Sequence, residues 1–268
     1  MTHGSLFSGI GGIDLGFRWA GIETVWQVEK DAFCRRVLEK HWPTVQRFSD
    51  VRECGKDNLR PVDVISGGFP CQDISVAGRR AGLDGERSRL WWEYARIVGE
   101  LRPEWVLVEN VARLLDTDGD RVLAQMEAEN YRCWTFVLGA KTIGATHHRS
   151  RAWIFCRRAD AVRNEHPAET RHRNFPATAG RAFAEAVQAW NARADELAAA
   201  SRLVGPDTYA RIVRTSHGIP HWLDRLRGLG NAVVPQIPML FGSHMAGSKE
   251  FALETLSQGR RNGPANAH

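Results

Sequence analysis

Short apolar runs and amphipathic stretches alternate along the first 157 residues. Residues 4–7 predict a strand, followed by a turn of Ser8, Gly9, Ile10, Gly11 and Gly12 and a helix closing near Gly21. Residues 25–28 predict a second strand ending at Glu29, residues 32–40 its helix, and residues 45–48 a third strand leading into Asp50. The run 62–66 is a fourth strand, and the segment 88–100 a helix with Leu90, Tyr94, Ile97 and Leu101 on one face. Residues 105–108 predict a strand stopped by Glu109 and Asn110; a helix over 121–129 and strands over 131–138 and 152–156 complete the series. Alternation at this spacing predicts an α/β fold with a doubly wound, mostly parallel sheet.

The pattern breaks after Arg158. Residues 159–176 are polar, rich in Arg and His, and without period. Residues 178–200 predict a helix whose stripe of Phe183, Val187, Trp190, Ala194 and Leu197 is a packing face. The chain then returns to Gly230, Asn231, Ala232, Val233, Val234, Pro235 and Gln236. The pattern therefore divides the chain into an alternating unit over residues 1–157 that resumes near residue 230, a polar inserted region from 158, and a tail at 246–268 expected to be flexible.

A chain of 268 residues suits one sizeable core with an appendage. No apolar run reaches the roughly 20 residues that span a bilayer, and no basic leader with a cleavage site opens the chain, so a cytoplasmic protein is expected. The five cysteines are odd in number and scattered; neither a disulfide framework nor a zinc site is expected. The net charge of +5 permits a polyanionic partner. More telling are the arginine clusters at Arg79, Arg80, Arg87 and Arg89, at Arg149 and Arg151, at Arg157 and Arg158, and at Arg163, Arg171 and Arg173. One cluster alone is a solvated face; several flanking one site favour nucleic acid.

The fourth strand runs into Gly67, Gly68, Phe69, Pro70 and Cys71. Two glycines permit a tight exit, Pro70 stiffens the backbone, and a thiol is presented where open α/β sheets bind ligands. The alternative is a buried structural cysteine. The glycine turn offers backbone amides at a helix start, with Phe7 as an aromatic face. Glu29 and Asp50, at neighbouring strand ends, are placed for ribose hydroxyls and an adenine amino group, although a purely structural turn reads equally well. Asp14 stands where the dinucleotide fingerprint requires its third glycine. Glu109 is either solvated or a partner of Cys71. A thiolate adding to C6 of a pyrimidine, with a carboxyl at N3, turns C5 into a carbon nucleophile. Arg149 and Arg151 alternate on a segment entering a strand, so both aim at one face; otherwise they are a surface pair.

These residues resemble the DNA (cytosine-5)-methyltransferase family. Phe7 to Gly12 match its cofactor motif, Pro70, Cys71 and Gln72 its nucleophile motif, and Glu109, Asn110 and Val111 its ring-contacting motif. Arg149 and Arg151 match the paired-arginine motif, and the segment 230–236 the closing motif. The resemblance covers residues 4–157 and about 218–245. It implies a pocket for S-adenosylmethionine lined by Phe7, Gly9, Ile10, Gly11, Gly12, Glu29, Lys30, Asp50, Val51, Pro70, Leu90, Asn231, Ala232 and Val233. It further implies that Cys71 attacks C6, that Glu109 binds N3 and the exocyclic amine, and that Arg149 and Arg151 hold the thiolate region and the cytosine carbonyl. The partner is double-stranded DNA with the base flipped out, and the enzyme is expected to be monomeric. The segment 71–89 resembles the family's mobile loop, and 158–218 its target-recognition region, here short, which predicts a short or loose recognition sequence. Roles in restriction-modification, phage protection or regulation are all compatible.

Two departures matter. His147 and His148 replace the usual residues before the arginines, and adjacent strand residues point oppositely, so no metal is expected. Lys30 stands where an aromatic is usual; it is solvated or meets a carboxylated sulfonium donor. A tRNA cytosine methyltransferase shares these motifs, and a nicotinamide oxidoreductase or a silent DNA-binding relative are the remaining alternatives.

Overall fold

A computed structural model of the protein describes residues 1–70, 90–139, 150–161 and 232–246. Seven strands form one sheet: β1 (Thr2–Leu6), β2 (Glu23–Val28), β3 (Gln46–Phe48), β4 (Val64–Gly67), β5 (Trp105–Val111), β6 (Tyr131–Gly139) and β7 (Ser150–Arg158), in the order β3-β2-β1-β4-β5-β7-β6. β3, β2, β1, β4 and β5 pair in parallel, while β7 runs antiparallel to both β5 and β6. The doubly wound, mostly parallel sheet is as expected.

Side chains alternate across the sheet and build two cores. On one face Leu6, Trp26, Ile65, Val106 and Val108 meet α3 (Leu90–Leu101), α4 (Leu114–Thr117) and α5 (Gly119–Ala128). On the other, Val64, Leu107, Trp153 and Phe155 meet α1 (Gly12–Trp19) and a last helix, α6 (Gln236–Met245). Helix α2 (Ala32–His41) follows β2, its start capped by the Asp31 carboxylate accepting from the Cys34 N–H at 2.9 Å. No described helix is long and apolar enough to cross a membrane.

The structure departs from the sequence expectation at three places. β5 does not stop at Val108: Glu109, Asn110 and Val111 continue it, paired with Trp153, Ala152 and Arg151 of β7. Helix α6 was not expected; Ile237 to Ser243 are all buried, so no polar stripe gives it a period, and Pro238 sits in its first turn, where a missing N–H is tolerated. Finally, Cys133 and Cys156 face one another across β6 and β7, Cα atoms 4.1 Å apart, and form a disulfide where none was expected. Strand register, not sequence spacing, makes them partners. The helix expected over 178–200, the paired histidines and the inserted region beyond Ala161 lie outside the described residues, as does the tail after 246.

Candidate functional site

The glycine turn is built by backbone strain held in place. Phe7 leaves β1 with φ of 52°, a region that bulky residues avoid. Three bonds fix it there: the Ser8 N–H donates to the Val28 carbonyl at 3.1 Å, the Ser8 hydroxyl to the Ser5 carbonyl at 3.1 Å, and the Gly11 N–H to the Ser8 carbonyl at 2.9 Å. Gly9 has φ of 56°, and a Cβ there would meet nothing within 4 Å, so the turn opens onto free space. The Gly9 N–H donates to Glu29 Oε2 at 2.7 Å, and the Asp31 N–H to Glu29 Oε1 at 2.8 Å. Burial pushes the Glu29 pKa up, with these two amides opposing the shift.

Beside Glu29, the Glu29 N–H donates to the Phe48 carbonyl at 3.0 Å, which brings the end of β3 and Asp50 alongside. The Asp50 carboxylate accepts from the Arg52 N–H at 3.0 Å, from Arg52 Nε at 2.9 Å and from Arg52 Nη2 at 2.5 Å. These bonds hold its pKa down at about 2. The exposed Lys30 adds a weaker pull in the same direction. Val51 is buried, and Leu90 opens α3 against the same core. The backbone of Val233 closes over the turn: a Cβ on Gly12 would lie 2.6 Å from the Val233 carbonyl oxygen. Ala232 precedes it; Asn231 is outside the described residues.

At the same rim, β5 carries a buried acid. The Glu109 carboxyl lies over Gly68, where a Cβ would come within 2.6 Å of Oε2. Arg151 Nε approaches Glu109 Oε1 at 2.8 Å, both side chains mostly buried. Antiparallel pairing of β5 with β7 produces this contact, since Arg151 opposite Val111 is the diagonal neighbour of Glu109. The Asn110 amide donates to the Phe69 carbonyl at 3.1 Å and so pins the exit of β4 just before Pro70. This tie was not foreseen from sequence, although Asn110 lay within a recognised motif. Cys71 and Arg149 lie outside the described residues. Among the described residues no group of His, Cys, Asp and Glu is placed to hold a metal ion.

A carboxyl group beside a guanidinium, next to an open glycine turn with a second acid, suits a pyrimidine on one side and a nucleoside-bearing cofactor on the other. Comparisons with known proteins show the family and the fold. The profile of the C-5 cytosine-specific DNA methylase family matches residues 1–192. The Type II methyltransferase M.NgoFVII of Neisseria gonorrhoeae is 35% identical over 135 residues, covering 50% of this chain and 36% of that protein. M.FnuDI of Fusobacterium nucleatum is 34% identical over 160 residues, covering 58% of this chain and 46% of the other. The chain thus matches less than half of the length of these relatives. Among solved structures, a candidate DNA modification methyltransferase encoded within an E. coli prophage superposes with a TM-score of 0.52 at 23% identity, covering 68% of this chain and 54% of that one. That likeness supports the fold.

Proposed function

The chain belongs to the C-5 cytosine-specific DNA methylase family, and on that premise we propose that it methylates C5 of a cytosine flipped out of double-stranded DNA, with S-adenosylmethionine as donor and a covalent Cys71 adduct at C6. The observation that carries this reading is that the Glu109–Arg151 pair, the Phe69–Pro70 exit and the Phe7–Glu29 turn stand at the carboxyl ends of the neighbouring parallel strands β5, β4, β1 and β2.

The residues present fit the cofactor. The open side of Gly9, the Phe7 ring, the partly buried Glu29 and the backbone of Val233 would cradle an adenosyl group, with Ile10, Gly11, Gly12, Lys30, Asp50, Val51, Pro70, Leu90 and Ala232 as further contacts; Asn231, outside the described residues, is carried over from the family motif. Bound there, S-adenosylmethionine supplies an electrophilic methyl group. The remaining work falls to the protein. The Cys71 thiolate forms a bond to C6; the C5–C6 pair moves to C4–C5, and the C4–N3 pair to N3, where Glu109 delivers a proton. C5 is then a carbon nucleophile. After methylation C5 gives up its proton to a base, the sulfur leaves C6, and Glu109 recovers the N3 proton, so atoms and charge balance. Arg151 orients the cytosine carbonyl and stabilises the Glu109 carboxylate while its proton is on N3; the role of Arg149, outside the described residues, is carried over from the family motif.

Labelled-methyl incorporation into duplex DNA tests the reading. Cys71→Ser is expected to abolish incorporation while S-adenosylhomocysteine still raises the melting temperature. Incorporation by Cys71→Ser would refute it. Parallel arms with tRNA and with a carboxylated donor, read by product mass, separate the two neighbouring chemistries.

A further inference from the structure

Between the cofactor turn and the nucleophile exit stands a continuous column of aromatic rings. The Phe7 and Tyr94 rings stack with centroids 6.5 Å apart and an angle of 15°. Tyr94 stacks on Trp91 at 5.5 Å and 24°, and Trp91 meets Phe69 at 5.4 Å and 48°. Trp91 and Tyr94 are three positions apart on α3, the spacing that puts side chains on one helix face. Both are fully buried. The Tyr94 hydroxyl donates to the Leu107 carbonyl at 3.2 Å, which fixes the ring against β5. Gly67 leaves it room: a Cβ there would lie 3.0 Å from Tyr94 Cε2. The Trp91 indole N–H, by contrast, is buried with no hydrogen-bond partner among the described residues. An unsatisfied buried donor is costly, so the ring's shape and stacking must justify its place.

Packed rings of this kind shift together rather than singly, because interiors are close-packed. We propose that Tyr94, backed by Trp91, is a positioning residue that holds the Phe7 ring and the Phe69–Pro70 exit in one register, so that occupancy of the cofactor turn and the setting of the nucleophile segment are coupled. Coupling of this type is reciprocal. Tyr94 touches neither substrate nor cofactor in this account; it acts through Phe7 and Phe69. The inference rests on the methylase reading above.

The test uses the full chain, S-adenosylhomocysteine as probe, and iodoacetamide alkylation of Cys71 followed by mass spectrometry of its peptide. In the wild type, the probe is expected to change the Cys71 alkylation rate by at least about fivefold. Tyr94→Phe keeps the ring and retains that ratio. Tyr94→Leu brings the ratio close to one and weakens probe binding, whereas a merely structural tyrosine would lower the melting temperature and leave the ratio alone. Should Tyr94→Leu not fold, Trp91→Leu carries the same expectation. A wild-type ratio of one, or a ratio unchanged in the leucine variants, overturns the proposal. Failure of the probe to bind the wild type at all overturns the methylase reading instead.

Discussion

Asp14 sits in the first turn of α1 with its carboxyl oxygens accepting from the Ser5 hydroxyl and the Gln27 amide, both at 2.9 Å. Burial raises its pKa from 3.8 to about 6. A carboxyl group with a raised folded-state pKa binds more protons folded than unfolded, so its contribution to stability falls as pH rises from about 4 to 6, by about 3 kcal/mol. His3 opposes it. Its ring nitrogens lie 2.9 Å from Thr24 Oγ1 and 2.7 Å from Ser66 Oγ, and burial lowers its pKa from 6.5 to about 3. The unfolded chain then binds the extra proton, and stability is lost as pH falls from 6.5 towards 3, by about 5 kcal/mol. Between pH 4 and 6.5 the two run in opposite senses, and Asp14 offsets most of the His3 effect. Asp14→Asn removes the compensation, so urea unfolding at pH 7 and pH 4 should reveal a loss about 3 kcal/mol larger than in the wild type; an unchanged difference would contradict the assignment. Neither residue was legible as a buried polar anchor. Asp14 was noticed only for not being glycine, because burial and partners are set by how α1 crosses the sheet.

Among the elements, the contact of α1 with α6 depends on small residues. A Cβ on Gly16 would collide with the Pro235 carbonyl oxygen and lie 2.8 Å from Pro238 Cγ, and one on Gly242 would lie 2.7 Å from Ala20 Cβ. Gly16→Val is expected to cost about 2–3 kcal/mol by forcing the helices apart, against less than about 0.5 kcal/mol for Glu39→Ala on exposed α2; thermal unfolding of both variants measures the contrast. The Cys133–Cys156 bond closes a span of 23 residues, and its removal by Cys133→Ser with Cys156→Ser should lower stability by about 3 kcal/mol in the chain-entropy picture. Strands and helices of the first half were readable because their apolar periods are intact. The continuation of β5 through Glu109 and Asn110 was not, since polar residues end a strand by pattern alone. Here pairing with β7 and the Arg151 counter-ion keep them in the ladder. Glu109 was readable as an acid at the end of β5, yet the side-chain tie from Asn110 to Phe69 needed coordinates.

For the molecule as a whole, charge distribution is the readable signal. The net charge is only +5, but the arginines gather in clusters. If they neutralise phosphates, duplex affinity measured by filter binding should fall linearly on a log–log plot against salt, each lost phosphate contact reducing the slope by about 0.9. Arg163→Ala with Arg171→Ala should flatten the slope without altering probe affinity for S-adenosylhomocysteine. Target preference was the least legible property, because base contacts follow from the three-dimensional setting of few side chains rather than from composition.

The reversed direction of β7 has a topological consequence. Arg151 opens that strand at the reactive rim, so Arg158 leaves it at the opposite rim, where its N–H meets the Glu104 carbonyl just ahead of β5. Nine residues of strand span roughly 30 Å. The polypeptide must climb back that distance before Val233 settles on Gly12, a journey about ten extended residues can make. The shortest possible return is thus set by the length of β7 alone.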